Sequence, residues 1–361
     1  MNRVLVFSVI SPDKEGRLKK TLELLTTRYL VTLVCPKSGF SLVNLNLIGI
    51  GEERPVGIKA QIRYVSQIKK ALRNKKIIGD FNAIYIANVL SVPGGMQIKK
   101  YLGIEKCIYD AYEIFFTKRT GKQGIKNKFY LLMEKSIIKK ADLIIEANYE
   151  RALLAQGFYQ LESLPIVVSN FNYKVDSQID KINKYDNEKI KVGYVGYISK
   201  ERRVHDLIKE IGNNSEIELH IYGNGKDAIG LADEVEINKY KNVFFHGEYQ
   251  IQELQFILSS IDVGYIFYPQ HNYNNIYCEP NKIYEYCANG IPMISYMHPK
   301  LNHLFDTFHI GCADDSIIES IKTIMQSIDT FRKACKEYYF QTQLSVNNEN
   351  QKYLDSIDSI M

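Results

Sequence analysis

Short apolar runs alternate with amphipathic segments along the first half of the chain. Residues 17–29 carry Leu18, Leu22 and Leu25 at the spacing that lines one face of a helix. A second helix is predicted over residues 58–76, and strands are predicted over residues 4–10, 31–34, 83–87, 107–109, 143–145 and 166–168. Because strands and helices alternate, the pattern predicts a parallel sheet with right-handed crossovers.

A second series of the same kind begins at residue 190, with strands over 190–194, 219–222, 243–247 and 263–267 and a helix over 251–259. A chain of 361 residues is too long for one ordinary core. The pattern predicts a first domain over 1–172, a polar linker over 173–189, a second domain over 190–330, and C-terminal helices over 331–361 that pack back on the first domain. The expected fold class is α/β, with two Rossmann-like domains facing each other across a cleft.

The most informative stretch covers residues 279–292 and follows the apolar run 263–267. Pro280 stands where a helix can begin, and Lys282 and Glu285 are three residues apart on one helix face. A helix N-terminus beside a lysine favours an anion such as phosphate, and a neighbouring carboxylate can accept two hydroxyls of a ribose. The alternative interpretation is a buried helix start whose lysine and glutamate are simply solvated.

The run Pro-Asn-Lys-Ile-Tyr-Glu-Tyr-Cys-Ala-Asn-Gly-Ile-Pro resembles the donor-nucleotide motif of GT-B glycosyltransferases. It is most similar to the family-4-like group that builds bacterial surface polysaccharides. The resemblance implies a diphosphate contact for Lys282 and a ribose contact for Glu285. Where this family often carries an earlier glutamate, the present chain has Tyr277, with Glu279 close by. The donor-binding residues implied within this motif are Glu279, Pro280, Asn281, Lys282, Ile283 and Glu285.

Residues 193–203 resemble the Gly-Arg…Glu-Lys-Gly segment of the same family. Gly196 matches the glycine and Arg202 matches the basic position, whereas Tyr197 replaces an arginine and Arg203 replaces the second glycine. Glycine lets a phosphate approach the backbone, and an arginine can clamp a diphosphate with paired donors. Gly196, Tyr197 and Arg202 are therefore predicted to bind the donor.

Gly223 and Gly225 follow the strand predicted over 219–222. They match a Gly-x-Gly that the family often places near the nucleobase, so both are predicted donor-binding residues. A turn that requires positive φ explains the same glycines without a ligand.

Resemblance to the family-4-like enzymes also implies retention of configuration at the anomeric carbon. Arg202 and Lys282 are the expected catalytic cations, because they would stabilise the departing diphosphate. No Asp-x-Asp pair stands at a strand end, so no metal site and no cofactor beyond the nucleotide sugar are expected.

The segment Asp110-Ala111-Tyr112-Glu113 resembles an Asp-x-His-Glu segment of some relatives, with Tyr112 in place of the histidine. All seven histidines lie between residues 205 and 309, which excludes a histidine base from the first half. Asp110 and Glu113 are the candidate catalytic carboxylates, and Gly16, Arg17 and Tyr112 are further candidates for acceptor binding. The alternative for Asp110 and Glu113 is a helix capping box. A Gly-x-Gly-x-x-Gly fingerprint is absent after the first strand, which argues against an NAD enzyme.

Charge divides the chain unevenly. Residues 1–172 hold 27 Lys and Arg against 14 Asp and Glu, a net charge of +13, which leaves −8 for the remainder of a chain whose total is +5. Residues 59–76 carry seven basic residues and no acidic one. Such a surface suits an anionic membrane, although a solvated helix face is the common alternative.

Six cysteines are scattered without metal-binding spacing, and no apolar run reaches the length of a membrane span. The expected location is cytoplasmic, with peripheral attachment to the inner face of the membrane. The expected partners are a nucleotide-sugar donor, a lipid-linked or glycan acceptor and anionic lipid. A non-catalytic sugar-nucleotide or glycan-binding module of the same fold is the first alternative. A nucleic-acid-binding protein is the second, and no stacking module or reader helix supports it.

Overall fold

The computed structural model describes residues 1–51, 57–115, 124–171, 189–278 and 280–361. The chain divides into two compact units. Unit 1 consists of Met1–Asn172 and Ser345–Met361, and unit 2 consists of Tyr173–Leu344. The predicted linker, apart from Lys189, and the predicted donor residue Glu279 lie outside the described residues.

Unit 1 is a seven-stranded sheet in which every described pairing is parallel, in the order β3-β2-β1-β4-β5-β6-β7. Its strands are β1 (Arg3–Phe7), β2 (Leu30–Cys35), β3 (Leu45–Gly49), β4 (Ala83–Ala87), β5 (Lys106–Asp110), β6 (Leu143–Glu146) and β7 (Ile166–Val167). Its helices are α1 (Gly16–Leu25), α2 (Ile58–Arg73), α3 (Val92–Leu102), α4 (Ile125–Ile138) and α5 (Tyr149–Tyr159). The order reverses between β1 and β4, and open α/β sheets bind ligands at the carboxyl ends of strands beside such a reversal.

Unit 2 repeats this plan with six parallel strands in the order β10-β9-β8-β11-β12-β13. Its strands are β8 (Ile190–Val195), β9 (Ile217–Tyr222), β10 (Val243–Gly247), β11 (Val263–Tyr265), β12 (Met293–Ser295) and β13 (Gly311–Ala313). Its helices are α6 (Val204–Gly212), α7 (Ala228–Asn238), α8 (Leu254–Ser259), α9 (Tyr273–Ile276), α10 (Asn281–Ala288), α11 (Pro299–Phe308) and α12 (Ile317–Met325). The order reverses between β8 and β11.

A last helix, α13 (Ile328–Ile360), is continuous, where the sequence pattern suggested several C-terminal helices. Its final turns bring Tyr353, Leu354 and Ile357 into the core cluster of unit 1 that also contains Leu18 and Leu22 of α1. Tyr29 donates a hydrogen bond of 3.0 Å to the carbonyl of Leu354. Residues 345–361 are thus part of unit 1, although they follow unit 2 along the chain.

The expected α/β fold with two Rossmann-like sheets is confirmed, with differences at the ends of elements. The strand expected over 4–10 ends at Phe7, because the Ser8 hydroxyl accepts a hydrogen bond from the Ile10 N–H and starts a loop. The strands Leu45–Gly49 and Gly311–Ala313 were not predicted, since both are edge strands of only five and three residues. Among the described residues, no helix is long and apolar enough to cross a membrane.

Candidate functional site

Glycines bring three loops together at the carboxyl ends of β8, β9 and β10 in unit 2. The Gly196 N–H donates to the Tyr222 carbonyl at 2.9 Å, and the Gly223 N–H donates to the Gly247 carbonyl at 2.7 Å. A Cβ atom on Gly223 would lie 2.0 Å from the Gly196 carbonyl oxygen, and one on Gly225 would lie 2.0 Å from the Ile198 carbonyl oxygen. Gly223 also has a φ of +132°, which side-chain-bearing residues rarely adopt. Close backbone packing therefore requires glycine at 223 and 225.

We expect Gly223→Ala to disrupt this loop cluster, because the added methyl group overlaps the Gly196 carbonyl and the backbone angle is unfavourable. Binding of nucleoside diphosphate, measured by calorimetry, should fall at least tenfold. Gly230→Ala is the matched control, because a Cβ there meets nothing within 4 Å and the site is a helix position. Equal affinity in the two variants would show that the glycine loops do not form the nucleotide site.

An open pocket of about 670 Å³ lies against these loops and has a size typical of small-molecule sites. It is lined by Gly196, Tyr197, Gly223, Asn224, Gly225, Lys226, Glu248 and Tyr249. Apart from Arg202, the four predicted donor residues outside the α10 motif all line this cavity: Gly196, Tyr197, Gly223 and Gly225. The Tyr197 side chain is 53% exposed. Tyr197 accepts a hydrogen bond of 3.2 Å from the Lys226 N–H. Glycine backbone, an exposed aromatic ring and polar side chains can together accommodate a base and its sugar.

The N-terminus of α10 carries the two charged residues singled out in the sequence. Pro280 is the N-cap residue rather than the first helical residue, and no side chain caps the helix. Lys282 and Glu285 form an ion pair on one helix face, with only 19% and 12% of their side chains exposed. The Lys282 ammonium also donates to the Tyr249 hydroxyl at 3.4 Å. Tyr249 lines the glycine pocket, so it connects that pocket to α10.

Two other residues of the motif differ from expectation in their surroundings. Ile283 is 5% exposed, and its N–H donates to the Pro280 carbonyl at 3.2 Å. This isoleucine therefore anchors α10 in the core, and its contact with the donor stays a prediction. The Asn281 Oδ1 atom is buried without a hydrogen-bond partner among the described residues. A buried acceptor without a partner is costly, which makes Asn281 a candidate for contact with a donor hydroxyl.

Arg202 lies at the reversal of the unit 2 sheet. Its guanidinium is 4.5 Å from the centre of the Tyr268 ring, and its carbonyl accepts a hydrogen bond of 2.9 Å from the Tyr265 hydroxyl. Burial raises the pKa of Tyr268 to about 12, so this phenol stays neutral and does not offset the charge of the arginine.

Arg203 has a different role from Arg202. Its φ of +55° explains why the resembling family has glycine there. Its guanidinium lies 3.5 Å from the centre of the Tyr296 ring and bonds to Asp206 at 2.7 Å. Because Tyr296 and Asp206 hold the Arg203 side chain, Arg202 is the better candidate of the two arginines for contact with a diphosphate.

His298 lies beyond the end of β12 and is the N-cap residue of α11. Its ring is 1% exposed, and Nδ1 accepts a hydrogen bond from the Leu301 N–H at 3.4 Å. Burial lowers the pKa of His298 to about 4, because charging the ring would cost solvation. Protonation would also remove the cap.

We therefore expect His298 to make the protein less stable in acid. Between about pH 6.5 and about 4 the unfolded histidine binds a proton that the folded one does not, so the free energy of unfolding falls as pH falls. His298→Asn keeps a capping side chain without this titration and should flatten the decline between pH 7 and pH 5 in urea unfolding. His303→Asn, an exposed position on the same helix, should leave the wild-type decline unchanged. Identical pH dependence of wild type and His298→Asn would contradict this.

In unit 1 the predicted acceptor residues Arg17 and Asp110 are bound to each other. Both Asp110 oxygens accept from the Arg17 guanidinium, at 2.7 to 3.1 Å, and the Tyr85 hydroxyl also donates to Asp110. Arg17 donates further to the Val168 carbonyl at 2.7 Å. Asp110 is 1% exposed and Arg17 is 9% exposed. The two residues thus form a buried ion pair that joins α1 to β5, and their contact with an acceptor stays a prediction.

The other predicted acceptor residues remain candidates. Glu113 and Gly16 are exposed, and the Tyr112 hydroxyl is buried without a hydrogen-bond partner among the described residues. The capping-box alternative for Asp110 and Glu113 is wrong, because Asp110 ends β5 and its oxygens are bound elsewhere. Tyr249 and Tyr268 were not predicted, because their only signal in the sequence is their position just after strands of the sheet.

No family profile matches the chain, and no curated protein matches it by sequence. Solved structures do match it over its whole length. Sucrose-phosphate synthase from Thermosynechococcus elongatus superposes with a TM-score of 0.74 at 14% identity, over 100% of this chain and 99% of that one. HepE from Anabaena, in complex with UDP-glucose, gives 0.71 at 13% identity, over 99% of this chain and all of that one. WaaG, a glycosyltransferase involved in lipopolysaccharide biosynthesis, gives 0.63 at 11% identity, over 98% of this chain and 99% of that one. The chain therefore has the fold of the GT-B glycosyltransferases.

Proposed function

We propose that this protein is a glycosyltransferase that moves a sugar from a nucleotide-sugar donor to a lipid-linked oligosaccharide or polysaccharide precursor. The observation that carries the proposal is the connection, through Tyr249, between the glycine pocket and the Lys282–Glu285 pair on α10. The pocket suits a nucleoside and the helix N-terminus suits its diphosphate. HepE was solved with UDP-glucose, which makes uridine nucleotides the first donors to test.

In this proposal Lys282 and Arg202 bind and stabilise the leaving diphosphate. As the bond between the anomeric carbon and the diphosphate breaks, negative charge grows on the diphosphate oxygens. Two partly buried cations and the positive end of the α10 helix dipole would stabilise that charge. Because protein charges supply this stabilisation, we propose that transfer needs no metal ion and persists in EDTA. Loss of transfer activity in EDTA, with recovery on addition of Mg²⁺ or Mn²⁺, would contradict the proposed metal independence.

Retention of configuration is the proposed stereochemistry. In front-face attack the leaving diphosphate accepts the proton of the acceptor hydroxyl, so no strong protein base is needed. An inverting enzyme needs a positioned base, and in unit 1 Asp110 is occupied by Arg17 while histidine is absent from residues 1–172. Glu113, which is exposed, is left to orient the acceptor. A product with the anomeric configuration opposite to that of the donor, seen by NMR, would promote Glu113 to general base.

The proposed location is the cytoplasmic face of a membrane, to which the basic unit 1 attaches peripherally. The likeness to WaaG, named for lipopolysaccharide biosynthesis, supports an acceptor of the envelope, and the net charge of +13 over residues 1–172 supports attachment to anionic lipid.

Turnover tests the proposal. The full-length protein is incubated with UDP-, GDP-, ADP- and dTDP-sugars and a bacterial lipid extract, and release of nucleoside diphosphate is measured. We expect at least one donor to be consumed faster when the extract is present. Binding of a nucleotide sugar without any extract-dependent release would instead identify a non-catalytic binding module.

A further inference from the structure

Helix α2 presents an apolar face that is separate from its core face. Tyr64, Ile68 and Leu72 are buried against the sheet. Ile58, Ile62 and Val65 follow a spacing of four and three residues and form a second stripe, in which Ile58 is 53% and Ile62 is 66% exposed. A solvated helix face does not need branched apolar residues at these positions, so the stripe is available for a ligand.

This stripe forms one wall of a groove of about 410 Å³, within the range of small-molecule sites. Lys69 extends the same wall, while Pro93 of α3 and Phe129 of α4 contribute the other sides. The groove is thus built by three helices whose lining is mainly apolar, with a cation at one end.

The position of the groove relates it to the ligand-binding edge of unit 1. Helices α2, α3 and α4 follow β3, β4 and β5, respectively, along the chain. The first turn of each helix is therefore expected near the carboxyl end of the strand before it. Ile58 and Pro93 lie in those first turns and Phe129 lies one turn into α4. One end of the groove therefore lies near the edge of the sheet at which unit 1 would receive its substrate.

Positive charge flanks the groove. Helix α2 carries Lys59, Arg63, Lys69, Lys70 and Arg73 and no acidic residue. In the described part of the chain, no carboxylate forms an ion pair with any of these five side chains. A ligand that covers the apolar stripe therefore meets cations that favour an anionic group.

We propose that this groove binds the hydrocarbon chain of the anionic lipid that carries the acceptor, with the lipid phosphate held by the basic flank of α2. The proposal rests on the proposed function for the choice of an acceptor lipid over a bulk membrane lipid. An apolar channel bordered by cations complements a long chain attached to a phosphate. A free sugar offers no apolar chain, and a nucleic acid would leave the apolar stripe uncovered.

Farnesyl phosphate is the probe, since it has a long unsaturated chain and a single phosphate and needs no knowledge of the acceptor sugar. Calorimetry on the full-length protein should show one site, with a negative heat-capacity change from apolar burial. Dimethylallyl phosphate and inorganic phosphate, which lack the long chain, should bind at least tenfold more weakly. Ile62→Ser should weaken farnesyl phosphate about tenfold, because it removes most of one apolar wall contact.

Ile78→Ser is the matched control, because Ile78 also belongs to unit 1, is 62% exposed and does not line the groove. It should keep wild-type affinity within a factor of two. Equal affinity of Ile62→Ser and wild type, or equal binding of farnesyl and dimethylallyl phosphate, would overturn the proposal. The proposal would also be overturned if the protein bound phosphatidylglycerol vesicles in an Ile62-dependent way but had no affinity for farnesyl phosphate. Nucleoside diphosphate release reports independently on the proposed function, so the two failures are distinguishable.

Discussion

Replacing Lys282 with methionine should weaken binding of nucleoside diphosphate by roughly 10- to 150-fold, the equivalent of about 1.5–3 kcal/mol for one charge-assisted hydrogen bond. The ammonium lies at the N-terminus of α10, is paired with Glu285 and reaches Tyr249 of the glycine pocket. Methionine keeps the apolar part of the side chain and removes only the charge. The loss in kcat/KM should be at least as large, because charge on the leaving diphosphate increases in the transition state.

Lys322→Met is the matched control for this variant. Lys322 also pairs with a glutamate three residues away, Glu319 on α12, but the side chains are 61% and 60% exposed. Such a pair contributes little, so this variant should retain wild-type affinity and turnover. A Lys282→Met variant that is folded and binds nucleoside diphosphate as wild type does would remove α10 from the donor site. Glu285→Gln combined with Lys282→Met separates the loss of the cation from the exposure of an unpaired buried carboxylate.

The second large effect is expected from substitution of Asp110, which should lower the stability of unit 1. Asp110→Asn leaves the Arg17 guanidinium buried without its counter-charge, which typically costs about 3–5 kcal/mol. Hydrogen exchange followed by mass spectrometry should show faster exchange in peptides covering β1, β4 and β5. Peptides of unit 2 should keep their protection, because the pair lies within unit 1.

Asp355→Asn provides the comparison, because Asp355 pairs with Arg28 at 2.8 Å while 58% of its side chain is exposed. An exposed pair of this kind contributes about 0–1 kcal/mol, so exchange in unit 1 should barely change. If Asp110→Asn instead kept the protection of wild type and lost only transfer to the acceptor, Asp110 would be a substrate-binding residue and the structural assignment would be wrong.

These two sites show what a sequence pattern can and cannot determine. The α10 motif was predictable because its information is local: a proline at the helix start, and a lysine and a glutamate three residues apart. The pairing of Asp110 with Arg17 was not, because the partners are 93 residues apart and only the fold brings them together. A carboxylate after a strand resembles a functional residue whether or not a distant arginine neutralises it.

Two glycines and an arginine of unit 2 also show that local sequence does not reveal long-range packing. Gly223 and Gly225 were assigned either to a nucleotide or to a turn, and the structure gives them a packing role against Gly196 and Ile198 that also shapes the pocket. Arg203 occupies a left-handed backbone position that sequence spacing assigns to glycine in the resembling family. The Arg203 guanidinium lies over the Tyr296 ring, and no local pattern predicts this contact because the two residues are distant in sequence.

Whether unit 2 binds a nucleotide-sugar donor is decided by calorimetric titration of UDP, GDP, ADP and dTDP into wild type, Lys282→Met and Gly223→Ala. We expect one binding site on wild type for at least one of these nucleotides. In both variants the affinity should be at least tenfold lower, since one removes the cation on α10 and the other disrupts the loops around the pocket. Absence of binding for all four nucleotides, or equal affinity in all three proteins, would contradict the assignment of this site to a nucleotide-sugar donor.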